Sequence, residues 1–152
     1  MLTFDLPKSK PFLVWQEYWG PLAEETGPNG RLRLFGFENL SDPSRQSFSF
    51  HGLPALSGFG FCQKGRVEVV GSRHQWRLEA GQWFCLAGDV REIRLGHGSR
   101  AFTILHEGHR GLNAMGGPVE AEGRLRYMDG CTDTLLYSPP LKGDPCLNLL
   151  HF

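Results

Sequence analysis

Between residues 31 and 105, apolar and polar side chains exchange places with a period of two. Arg31-Leu32-Arg33-Leu34-Phe35-Gly36-Phe37 alternates basic with apolar residues, and Ser47-Phe48-Ser49-Phe50-His51 alternates strictly. Gly58-Phe59-Gly60-Phe61-Cys62 repeats the pattern with glycine in the small slots. Similar stretches follow at 66–70 and 74–79, joined by the short link Gly71-Ser72-Arg73, and then at 83–87, 91–95, 101–105 and 124–127. Successive side chains of a strand point to opposite faces, so this period predicts half-buried strands. Their spacing of about ten residues predicts a sandwich or a barrel.

The two ends of the chain break the pattern. Phe12, Leu13, Val14, Trp15, Tyr18, Trp19 and Leu22 crowd between Pro11 and Gly27 without a clean helical face, and Gly20-Pro21 would stop any helix. This segment is expected to be an aromatic-rich lead-in lying across the main body, ended by a turn at Pro28-Asn29-Gly30. Residues 107–123 are expected to be a long, glycine-rich surface connection, a kind of segment that often carries function. Tyr127-Met128-Asp129-Gly130-Cys131-Thr132-Asp133 is expected to be a turn with polar decoration.

Composition narrows the classes. Twenty glycines and ten prolines in 152 residues are too much punctuation for a helical bundle, while 40% hydrophobic and 21% charged residues suit one globular domain. Sixteen basic residues balance sixteen acidic ones, which removes the electrostatic footprint of a nucleic-acid binder. No apolar run approaches the roughly 20 residues that a bilayer-spanning helix requires, so no membrane partner is expected. Met1-Leu2-Thr3-Phe4-Asp5 lacks the basic and then apolar character of a signal peptide. Cys62, Cys85, Cys131 and Cys146 are expected to be reduced thiols in a cytoplasmic protein.

The turns carry a family resemblance. Gln63-Lys64-Gly65-Arg66-Val67-Glu68-Val69 and Trp76-Arg77-Leu78-Glu79-Ala80-Gly81-Gln82-Trp83-Phe84-Cys85-Leu86-Ala87-Gly88-Asp89 resemble the two glycine turns of a cupin, the small barrel built as a double-stranded β-helix. The resemblance is tight over about 50 residues and loose over most of 31–137. It implies a metal site of three histidines and a glutamate. Laid on this chain, those four slots fall on His51, Leu53, Gly58 and Glu92, so two could offer a donor. Three or four protein ligands are the norm for a held transition metal, and no metal or other cofactor is expected.

Other chemistry finds little support. In His106-Glu107-Gly108-His109 the histidines are three apart around a glycine, unlike the helical zinc pattern. No Gly-x-Ser-x-Gly elbow and no Cys-x-x-Cys pair is present. Side-chain parity poses one question with two answers. If His51 faces inward, so do Ser47, Ser49, Gly58, Gly60 and Cys62; that small face leaves room for a cavity, and Phe48, Phe50, Phe59 and Phe61 need a cover. The cover would be the N-terminal segment or a second subunit. In the other answer the phenylalanines are the core and His51 points to solvent.

The expectation is therefore an all-β chain, a cupin-type jelly-roll barrel over 31–137, with a lead-in over 1–30. Residues 138–152 form a C-terminal loop and strand. Asp42-Pro43 and Asp144-Pro145 each precede a strand that closes on histidine, so this tail either opens a second cupin repeat or pairs as an ordinary last strand. The expected function is small-molecule binding, or a structural and homodimerising role, with a degenerate metal site and no catalytic residue assigned. The ligand-binding candidates are His51, Cys62, Glu92 and His106. The alternative is a metal-dependent cupin dioxygenase or isomerase using His51, Glu92 and His106 in a rearranged site.

Overall fold

The period-two stretches are strands in the computed structural model, which describes residues 19–27, 30–42, 46–50, 57–88, 90–107 and 112–152. In chain order they are β1 (Trp19–Gly27), β2 (Gly30–Asn39), β3 (Ser47–Ser49), β4 (Ser57–Lys64), β5 (Arg66–Gly71), β6 (Gln75–Glu79), β7 (Trp83–Leu86), β8 (Val90–Leu95) and β9 (Ser99–His106). They are followed by β10 (Ala114–Gly116), β11 (Leu125–Arg126), β12 (Thr132–Tyr137) and β13 (Leu147–His151).

Pairing is antiparallel and nested: β2 with β9, β3 with β8, β4 with β7 and β5 with β6. The extra contacts β4·β9 and β5·β8 complete two sheets, of order β1-β2-β9-β4-β7-β10 and β3-β8-β5-β6. Eight strands in this order, alternating between two facing sheets, are a jelly roll. The fold is thus the cupin-type barrel that the turns imply. Gly65 makes the β4–β5 corner with φ +72°, and a Cβ there would lie 2.4 Å from Ser99 Oγ, so only glycine fits.

Register settles the parity question differently for the two strands concerned. On β3, Phe48 is paired with the fully buried Ile93, and Phe48 and Phe50 pack on Phe35 and Phe37, while Ser47 and Ser49 are exposed. On β4 the glycines face inward: Gly58, Gly60 and Cys62 pair with Leu105, Thr103 and Ala101 of β9. The expected room is absent at these positions, because larger neighbours fill it. A Cβ on Gly60 would lie 2.3 Å from Phe84 Cε1, and one on Gly58 2.6 Å from Val90 Cγ2. Phe59 faces outward, and the chain itself covers it. The third sheet, β11-β12-β13, lays Tyr137 and Leu147 over Phe59 and Cys85, with Trp83, Ile104 and Leu136 around them. Tyr137 sits 5.7 Å from Phe59 between ring centroids, and its hydroxyl accepts from Leu112 N at 2.7 Å.

Three expectations are corrected here. From Trp19 onward the lead-in is an edge strand; Pro21 is tolerated because a bulge falls between Pro21 and Ala23. Trp19 reaches the core edge-on to Phe37 and Phe48, and residues 1–18 lie outside the described residues. The connection 107–123 includes β10, which pairs with β7. The polar turn ends at a 3-10 turn over Met128–Gly130, after which Thr132 and Asp133 belong to β12, with Asp133 buried. The C-terminal strand pairs with β12.

Candidate functional site

On β2, residues 33, 35 and 37 share the inward face. Phe35 and Phe37 are core residues, and their parity carries Arg33 inward with them. Arg33 pairs with Glu24 of β1 on one side and Leu105 of β9 on the other. It is only 8% exposed. A cavity of about 330 Å3 opens between these strands and β3, lined by Pro21, Glu24, Arg33, Phe35, Phe48, Ser49 and Phe50. One wall is therefore aromatic, and Glu24, Arg33 and Ser49 supply the polar side chains beside it, the guanidinium being the buried one.

Arg33 donates from Nε to Glu24 Oε2 at 2.9 Å. Glu24 also meets Arg31 Nε at 3.2 Å, and the hydrogen bond from Arg33 holds its carboxyl below the usual range. Arg33 Nη1 lies 3.9 Å from Glu107 Oε1, too far for a hydrogen bond, and is buried without any hydrogen-bond partner among the described residues. A buried donor left unpaired costs about 1–3 kcal/mol, and more when charged. The Arg33 guanidinium thus keeps one nitrogen without an acceptor among the described residues, beside a cavity with an aromatic wall.

The four residues singled out in the sequence are not assembled there. His51 lies outside the described residues, as do Asp89 and His109. Cys62 is an interior residue in the Phe37 row, four residues along β2 from Arg33, about 13 Å at 3.3 Å per residue. Its thiol donates weakly to the carbonyls of Gly65 (3.5 Å) and Lys64 (3.7 Å), and burial pushes its pKa up to about 11. Glu92 sits on the outer face of β8, where it accepts from Ser47 Oγ and pairs with Arg94 at 2.9 Å. Arg94 and Arg77 also reach Glu68, so Glu92 belongs to a surface lattice of charges. His106 shares the outward parity of Ile104 on β9, with Nδ1 buried and without a hydrogen-bond partner among the described residues. Glu92 and His106 thus occupy the outer faces of different sheets, separated by the packed interior, and do not converge as the rearranged metal site would require.

The fold family's metal can be tested on the interior itself. Along the described inward positions of β2, β4, β7 and β9 the buried polar side chains are Arg33, Asn39, Cys62, Ser99 and Thr103, interspersed with Gly58, Gly60, Phe84 and Leu86. A fixed positive charge, an amide, one thiol and two hydroxyls, with no imidazole or carboxylate at these positions, do not fit a divalent cation. No group of three or more His, Cys, Asp or Glu comes together among the described residues.

Sequence reasoning passed over Arg33 because basic and apolar residues alternate in 31–34, which suggests leucines in and arginines out. The signal that would have found it lies two residues on. Phe35 and Phe37 occupy the same parity as Arg31 and Arg33, and two phenylalanines outweigh two leucines in deciding which face is buried.

No protein-family model matches the chain, and no curated protein does. Among solved structures it is similar to a cupin-2 domain containing protein from Shewanella frigidimarina, at 13% identity and a TM-score of 0.41, covering 61% of this chain and 84% of that one. It is similar also to a putative glyoxylate induced protein from Pseudomonas aeruginosa, at 12% identity, TM-score 0.44 and coverage of 76% and 53%. A third is the vicilin of hazelnut, Corylus avellana, at 16%, 0.36, and 65% and 28%. At these identities the likeness concerns the fold alone, and the assignment rests on the strand order given above.

Proposed function

We propose that this cupin-type jelly roll binds a small organic acid, or a carbonyl compound of the same shape, in the cleft between β1–β2 and β3. What supports this reading is the Nη1 of Arg33, buried at the edge of an aromatic pocket with no hydrogen-bond partner among the described residues. A carboxylate oxygen placed there gains a charge-assisted hydrogen bond in a largely dehydrated setting, and a ring or short alkyl chain lies against Phe35, Phe48 and Phe50. Glu24 fixes the guanidinium in place through Nε, which leaves the other side of the fork for the ligand.

The homodimer expected earlier was motivated by an uncovered phenylalanine face. That motive is gone: Phe48 and Phe50 belong to the interior, and Phe59 is covered by the chain's own third sheet.

Calorimetric titration with phenylacetate, phenylacetamide and toluene tests the binding reading. Phenylacetate is expected to bind, the amide more weakly and toluene least. Arg33→Met should weaken phenylacetate by roughly 10–100-fold, the worth of a hydrogen bond to a charged group. Arg33→Lys should not restore it fully, since a point charge cannot replace the planar fork. Equal affinity for all three compounds, or full affinity in a folded Arg33→Met variant, would rule this function out.

A further inference from the structure

A second cavity, of about 370 Å3, lies outside the barrel between β7 and the third sheet. Trp83, Pro118, Val119 and Leu136 supply apolar surface, and Asp133 of β12 supplies a carboxylate. Asp133 is 8% exposed. Its Oδ2 accepts from Asn148 Nδ2 at a long 3.3 Å, and its Oδ1 is buried with no hydrogen-bond partner among the described residues. An ionised carboxylate only accepts, so this oxygen calls for a donor, and a buried charge without one is costly.

The guanidinium that lines the same cavity does not meet that need. Arg124 is committed to Glu120 through Nε at 3.0 Å and Nη2 at 2.6 Å, and it is 74% exposed. The lining therefore carries two carboxylates against one cation, with the cation already paired. Trp83 adds an indole, the aromatic group with the strongest attraction for positive charge. The volume lies in the range of small-ligand sites and far exceeds the roughly 10–15 Å3 that one water needs.

We propose that this cavity is a binding site for a primary ammonium carried on a small apolar body. The ammonium donates to Asp133 Oδ1, and the hydrocarbon lies against Trp83 and Val119. The site is independent of the Arg33 cleft, which is built from other strands and selects the opposite charge. A ligand with both an amine and an acid would not bridge the two, because the six-stranded sheet stands between them.

The probe is n-butylammonium chloride, with 1-butanol as its neutral isostere, followed by saturation-transfer NMR and by tryptophan emission. Butylammonium is expected to bind at least about tenfold more tightly than butanol, and Asp133→Asn to weaken it roughly 10–100-fold while leaving butanol unchanged. Arg124→Gln alters only an exposed pair, so it keeps the fold; it should tighten butylammonium by about two-fold by removing a like charge. Equal binding of the two probes, no saturable binding, undiminished affinity in Asp133→Asn, or weaker binding in Arg124→Gln would each overturn the proposal. The wild-type comparison of the two probes decides the matter if Asp133→Asn fails to fold.

Discussion

Replacing Gly60 with alanine tests the packing that confines a ligand to the cleft. An added methyl would lie 2.3 and 2.5 Å from Cε1 and Cζ of Phe84 and 2.6 Å from the Phe102 carbonyl oxygen. Phe84 is 2% exposed and has nowhere to swing, and the carbonyl belongs to the β4·β9 ladder. Overpacking of a core costs about 1–3 kcal/mol, and a backbone obstacle puts this site at the top of that range. With a shift of roughly 2–4 °C per kcal/mol for a chain of this size, the melting midpoint should fall by roughly 6–12 °C.

Gly58 provides the contrast, because its methyl would meet only side chains, Val90 Cγ2 at 2.6 Å and Leu105 Cδ2 at 3.1 Å. Val90→Ala should therefore rescue much of the Gly58→Ala loss, with a coupling above about 1 kcal/mol in a double-mutant cycle. Phe84→Leu should rescue Gly60→Ala only in part, since the carbonyl remains. Urea and thermal unfolding of the wild type, the four single variants and the two double variants measure these effects. If Gly60→Ala lost less than about 0.5 kcal/mol, or gained stability as an unstrained Gly→Ala exchange does, the interior would hold the space denied to it here.

Other outcomes follow from the thiols and the third sheet. Cys62 and Cys85 are buried, with pKa values pushed up to about 11 and about 12 by desolvation, whereas Cys146 is exposed. Iodoacetamide at pH 8 should alkylate Cys146 and leave Cys62 and Cys85 unmodified, as mass spectrometry of the native protein would show. Both folded pKa values exceed the unfolded value of about 9, so the unfolded chain releases these protons first and stability should fall as pH rises from about 9 towards 12. The Cys62→Ala, Cys85→Ala double variant should flatten that slope; an unchanged slope would assign it to other groups. Tyr137→Phe keeps the ring on Phe59 and Trp83 but leaves Leu112 N without its acceptor, which should cost about 1–2 kcal/mol in urea unfolding. Tyr137→Ala should cost roughly 3–5 kcal/mol if the third sheet is held down by this ring.

Strands and turns are legible in the chain because both follow from neighbouring residues. Period-two alternation is a local property, and so are the glycines at 65 and 81, whose positive φ suits few other residues. The jelly roll was legible because its strands and corners stand in register with those local signals. Tertiary structure decided which face of each strand is inside. Phe48 points in and Phe59 points out although both sit in strictly alternating stretches, because facing depends on the partner strand and not on the period. For the same reason Glu92 became a surface charge, and Arg33, whose neighbours suggested solvent, became the buried cation of the cleft. Asp133 was hidden for another reason: a carboxylate in a run of threonine, cysteine and glycine looks like a turn until a pairing strand and a cavity enclose it.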